Sequence, residues 1–399
     1  MNALASFAVQ DLHLKLADSE DHDLLDGIAD DAYTHFRNLT APKTRAELAQ
    51  RQSAFGSIGD IHSAGRDENG ALAAYEAALE LEPIKDGFEK ADADSAPESD
   101  EFWLAQTLTR YGEALLAARE MKRARANFDK AEAAWLEVGR GHEARPAGLA
   151  GVYRAKSRLH EIEGKLAKAI EAVEKEKDAL NSGEQPASDL TLAEVELRHA
   201  VLLKKAREIQ RALAIVVEIE SRLNMLTSPE NDPNWQLVFM IAQVHRCHAG
   251  MLRDSEPPEP ERALEHFSAS LEQLAKRFEP PVSWEAARAG VNEEMALLYA
   301  ARGEFLPAIA RETGSLVVWQ TLFNRDNSND DWRLSLAKAH LLIGNYKSTA
   351  NLPFRQHWKA GMELAHGRTG PAWKELRGEL DALRGVWRHR NSDREKEEK

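Results

Sequence analysis

The sequence predicts an all-α chain built of helical hairpins in series, and three observations carry that reading. Apolar residues recur at helical spacing through nearly all of the 399 residues, with no period-2 stretch long enough for a strand. Charged residues make up 30% of the chain against 7% aromatic, the usage of helices with one apolar face. Polar, Pro-containing or Gly-containing stretches at residues 84–100, 181–189, 227–234, 254–260, 279–282, 324–331 and 367–371 punctuate it. Between them lie segments of roughly 35–50 residues, each room for two ordinary helices. A chain of this length needs either several cores or one extended array, and the punctuation favours the array.

Residues 1–43 read as an acidic helical segment. Asp18, Glu20, Asp21, Asp23, Asp26, Asp30 and Asp31 fall within fourteen residues that hold no Lys or Arg, beside an apolar stripe of Leu24, Leu25 and Ile28. These acids are either a solvated helix face or a docking patch for a basic segment of a partner, whose attraction would speed encounter and fade with salt. Of the formal charge of −14, residues 1–100 hold −13 through 21 acidic against 8 basic residues. That balance argues against nucleic acid or an anionic membrane as the main partner. The acidic stretch 84–100 reads as a loop between the first two hairpins.

The hairpin array occupies 44–366. In the stretch 58–83, Gly59 lets one helix approach the next and Ala71 does the same from the second helix. Phe55, Ile58 and Tyr75 fill the space between them, and Pro83 stops the second helix. The pattern returns with Leu108, Tyr111, Gly112, Ala124, Phe128 and Ala131. It continues, more loosely, with Gly164 and Ala169, Ala212 and Val216, Ala263 and Phe267, Gly303 and Ala308, and Gly344 and Thr349, giving about seven hairpins. A tryptophan recurs near the start of first helices, after polar residues, at Trp103, Trp235, Trp284 and Trp332.

On these residues the chain resembles the tetratricopeptide repeat family over roughly residues 44–360. The long repeat period is similar to the sensor and scaffold arrays of bacterial signal-transduction ATPases and of proteins with Toll-type or caspase-like effectors. The resemblance implies a right-handed α-solenoid whose first helices line a groove that binds a partner protein or peptide. It points the residue after each small position into that groove: Asp60, Glu113 and Arg158, with Arg154 one turn earlier. It implies no carboxylate clamp of the chaperone-binding kind, because Ser57 and Asp60 do not match that motif.

Residues 367–390 read as an amphipathic helix with a seam of Trp373, Leu376, Leu380, Leu383 and Trp387, followed by a charged tail over 391–399. The helix either caps the open end of the array or mediates a dimer. His245, Cys247 and His248 are the most metal-like cluster, but Cys247 points ~200° away from His245 around a helix, and two histidines alone do not make a site. No phosphate-binding glycine loop or nucleophile elbow occurs. No catalytic residue, metal or cofactor is therefore assigned. The single cysteine, the lack of a basic-then-apolar leader and the lack of a long apolar run lead to a cytoplasmic expectation. The expected function is a protein-interaction scaffold or sensor in a bacterial signalling or defence system, with a dimeric ligand-binding regulator and an enzyme with scattered catalytic residues as the alternatives.

Overall fold

In the computed structural model, residues 22–65, 67–81, 100–139, 141–183, 187–226 and 233–397 are described, and among them are sixteen helices and no strand. One compact unit, Met1–Ala206, holds α1 (His22–Arg37), α2 (Arg45–Ala64), α3 (Glu68–Glu80), α4 (Asp100–Ala117), α5 (Met121–Glu137), α6 (Ala144–Ile162), α7 (Leu166–Asn181) and α8 (Asp189–Lys205). A second, Arg207–Lys399, holds α9 (Ile209–Asn224), α10 (Trp235–Arg253), α11 (Pro260–Leu274), α12 (Val282–Ala301), α13 (Phe305–Arg325), α14 (Asp330–Thr349), α15 (Arg355–Leu364) and α16 (Pro371–Glu397). The stretch read as an acidic loop lies outside the described residues up to residue 99. No helix among the described residues is long and apolar enough to cross a membrane.

In the first unit the hairpins are drawn together by a missing side chain. A Cβ added to Gly59 in α2 would lie 2.6 Å from Cε1 of Tyr75 in α3, and one on Gly112 in α4 would lie 2.5 Å from Cε1 of Phe128 in α5. Carbon atoms in contact sit at about 3.5–4.0 Å, so each glycine is what lets an aromatic ring rest on the facing backbone. Phe128 is fully buried there, which is worth about 1.5–3 kcal/mol relative to an exposed ring. In α6 the same place is taken by Ser157, buried, with its hydroxyl donating to the Ala169 carbonyl at 3.0 Å. Ahead of these hairpins, α1 packs Ala29 and Phe36 against Phe55 and Ile58 of α2.

Two expected small positions belong elsewhere. Gly164 and Gly303 do not line a helix interface; they are turn residues at φ +71° and +77°. Each turn closes with a bond to a carbonyl five residues back, Lys165 N–H to His160 at 2.8 Å and Glu304 N–H to Tyr299 at 2.9 Å, a closure that requires a left-handed residue. The true small partner of Ala308 is Ala296, both fully buried. In the turn between α4 and α5 the left-handed place falls on Arg119, at φ 60°, and Glu120 N–H closes on Leu115 at 2.8 Å.

Thr349 is likewise not an interface residue but the exposed last residue of α14. The small residues there are Gly344 in α14 and Gly361 in α15, where an added Cβ would lie 2.6 Å from Leu383 and 2.8 Å from Leu380. Both make room for α16. The seam of that helix is used inside the chain: Trp373, Leu376, Leu380 and Leu383 are buried with Ala337 and Leu341 of α14, and Trp358 and Trp387 pack against the same cluster. Trp373 also donates its indole N–H to Asp330 at 2.8 Å. These side chains therefore cap the hairpin beneath them. The helix backbone also continues to Glu397, through most of the stretch expected to be a tail.

Ahead of Trp235 and Trp332 the polar residues include a helix cap. Asn234 accepts a hydrogen bond from the Leu237 N–H at 3.1 Å, and Asn329 one from the Trp332 N–H at 3.2 Å. Trp235 then meets Trp284 edge-on with ring centroids 5.9 Å apart, joining α10 to α12.

These contacts predict opposite outcomes for two exchanges in one hairpin. Gly112→Ala should lower stability by about 1–3 kcal/mol, because the new methyl overlaps a ring with nowhere to move. Arg119→Gly should raise it by up to about 1 kcal/mol by relieving the left-handed backbone. Urea unfolding of both variants checks the pair.

Candidate functional site

The residue that follows each small position lies ~100° round the helix from the hairpin interface, so the first helices of the first unit carry a common outer row. Asp60 stands on α2, Glu113 on α4, and Arg154 and Arg158 on α6. α2 lies against α4 and α4 against α6, which makes the row continuous.

Its members differ in how far they are committed. Asp60 accepts the Tyr75 hydroxyl at 2.7 Å and pairs with the Arg110 guanidinium at 2.7 Å, so it is held by the protein itself. Glu113 makes no hydrogen bond among the described residues. It keeps solvent access, yet protein crowds it closely, and this burial raises its carboxyl above the usual range against the opposing pull of Arg158, Arg154 and Arg110. Arg154 donates its Nε–H to Glu176 at 3.0 Å, and Arg198 of α8 reaches the same oxygen at 2.6 Å. Glu176, on α7, is completely buried, so these two arginines supply the charge it needs. Arg158 is exposed and has no hydrogen bond or ion pair among the described residues.

With Arg198 and Glu176 from the neighbouring helices, four arginines stand against the three carboxylates Asp60, Glu113 and Glu176, and Arg158 is the one with no hydrogen bond or ion pair among the described residues. Sequence spacing missed Arg110, Arg198 and Glu176. Arg110 had a usable signal, since it stands three residues before Glu113 much as Arg154 stands four before Arg158. Arg198 and Glu176 had none, because their role depends on a carboxylate buried by tertiary packing.

The N-terminal acids are less fully placed. Asp30 and Asp31 are exposed on α1, with Asp30 3.7 Å from the His62 ring. Asp23 and Asp26 fall on the same helix, and Asp18, Glu20 and Asp21 lie outside the described residues.

In the second unit, Glu312 of α13 is completely buried with neither carboxyl oxygen hydrogen-bonded, and the Tyr346 hydroxyl beside it is also unpartnered. Burial, reinforced by Glu293, pushes the Glu312 carboxyl up to about 8, so it is mostly protonated at neutral pH. Glu293 also borders an open pocket of about 310 Å³ with Leu297, Lys338, Leu341 and Glu379. The folded state holds the Glu312 proton more tightly than the unfolded chain does. Stability from this group is therefore full at acid pH and is lost as pH rises from the ordinary carboxylate range through about 8. Glu312→Gln should be more stable than the parent at pH 9, with the difference smallest near pH 4, as read by denaturant titration across pH.

No protein-family model matches the sequence, and no curated protein matches it either. Among solved structures, the apo form of RapI is similar with a TM-score of 0.56 at 12% identity, over 85% of this chain and 81% of that one. The apo form of the quorum sensor NprR from B. thuringiensis is similar with a TM-score of 0.50 at 12% identity, over 80% of each chain. A tetratricopeptide repeat protein from Parabacteroides merdae aligns over 82% of this chain and 98% of its own, with a TM-score of 0.45 at 12% identity.

Proposed function

We propose, from the all-α, tetratricopeptide-like fold of helical hairpins, that the chain is a protein-interaction module that binds an extended peptide, or such a segment of a partner protein, along the outer row of α2, α4 and α6. The observation that carries this reading is Arg158, exposed and without a hydrogen bond or ion pair among the described residues, at the end of a row in which Asp60 and Arg154 are held by internal contacts. A guanidinium offers a forked donor set that matches a carboxylate, so the complementary group is an Asp or Glu side chain or a free C-terminus. Arg154 and Arg198, oriented by Glu176, hold the surrounding field positive without moving. The likeness to the quorum sensor NprR supports a sensing role in bacterial signalling.

The acidic segment from Asp18 to Asp31 has a separate part in this proposal. It steers a basic stretch of the same partner toward the row and acts on the rate of encounter. Partner selection is then two-signed, with a basic stretch met by α1 and an acidic one by Arg158.

A peptide library displayed on phage and selected against the full chain tests the anchor. Selected peptides should be rich in Asp and Glu or depend on a free C-terminus, and Arg158→Glu should weaken them by roughly tenfold or more while Asp30→Asn leaves equilibrium affinity unchanged. Equal affinity for the parent and Arg158→Glu would remove Arg158 from the site.

A further inference from the structure

Three successive helices of the second unit bring together a set of side chains that no stretch of sequence shows. His245 and His248 stand three apart on one face of α10, Glu220 comes from α9 and His266 from α11. His245 Nδ1 lies 3.2 Å from His266 Nδ1 and 3.4 Å from one Glu220 oxygen. His248 Nδ1 lies 2.8 Å from the other Glu220 oxygen, and the His248 and His266 rings approach to 3.9 Å between centroids. Glu220, His248 and His266 offer ligand atoms that all lie within 4.8 Å of one another.

These separations have a chemical meaning. Ligands at bonds of about 2.0–2.1 Å around a tetrahedral ion stand about 3.3–3.4 Å from each other, so three ligand atoms already within 4.8 Å need only small side-chain rotations to close on one ion. We infer that Glu220, His248 and His266 form a binding site for a four-coordinate divalent transition metal, with Zn²⁺ the ion of choice and His245, in contact with Glu220 and His266, beside it. Two imidazoles and one carboxylate are a borderline-hard set that suits Zn²⁺ better than Ca²⁺ or Mg²⁺, which favour oxygen alone. His248 is buried and the other two are partly buried, so the ion would be shielded from bulk water. Neither His245 nor Cys247 is among the three groups that converge within that distance.

Three protein ligands from three successive helices make the ion a cross-link, with water at the fourth position. It would tie α9 to the α10–α11 hairpin and so fix one helix against the next repeat. Binding to the folded chain alone raises thermal stability with the logarithm of the free metal once that exceeds the Kd.

The experiment uses the full chain, stripped with a chelator and dialysed, then titrated with Zn²⁺ in competition with a chromophoric chelator. One saturable Zn²⁺ per chain is expected, with a raised melting temperature, and Co²⁺ in its place should give the strong visible bands of a four-coordinate ion. Glu220→Gln and His266→Ala should each weaken Zn²⁺ by roughly tenfold or more with far-ultraviolet circular dichroism unchanged. His340→Ala, in the separate pair with His357, should leave binding as it was. Absence of saturable binding, equal affinity in the Glu220 and His266 variants, or a weak octahedral Co²⁺ spectrum would overturn the assignment.

Discussion

The contact on which the first unit depends is an aromatic ring seated on a backbone that has no side chain to obstruct it. Tyr75 over Gly59 and Phe128 over Gly112 bring two helices closer than any Cβ would allow. Once that distance is set, the angular position of every other residue on those helices is fixed by the helical period. The outer row of Asp60, Glu113 and Arg158 follows from it, because each sits one step beyond a small interface residue. A continuous surface row is thus a by-product of the packing rule that builds the hairpin.

Charge in this chain has two scales. Over the sequence nearly all of the net −14 lies in the first hundred residues, and the rest is close to neutral. Around Glu176 the local balance reverses, with Arg154 and Arg198 against one carboxylate. Glu176 explains how such a row is stabilised: a carboxylate buried in α7 requires cations, and α6 and α8 supply one each. Arg154 and Arg198 are therefore held in place by the fold's own electrostatics, while Arg158 beside them has no such duty. A surface whose neighbours are pre-oriented loses little freedom when a partner arrives.

The histidine cluster and the Glu312 site show a different use of the same architecture. Stacked helices bring into one place residues dozens of positions apart, and burial then sets their protonation. Glu312, without a partner, keeps its proton; His266, among other imidazoles, gives its proton up. Both outcomes come from the cost of a charge in a poorly solvated place, with the sign set by which form is charged.

The sequence by itself determined the helices, their pairing and most of the interface residues, because helical periodicity and the small-aromatic pattern are local signals. That Asp60, Glu113, Arg154 and Arg158 share a face is what the resemblance to tetratricopeptide repeats implied. The sequence misassigned Gly164, Gly303 and Thr349, since a glycine that relieves a left-handed turn and one that admits a neighbouring ring read alike in one dimension. Only the tertiary structure decided that the α16 seam is filled from within, that Asp60 is committed to Tyr75 and Arg110, and that Glu220 and His266 join His245 and His248. Those facts depend on which helix faces which, and that is set by packing between segments far apart in the chain, about which local periodicity carries no information.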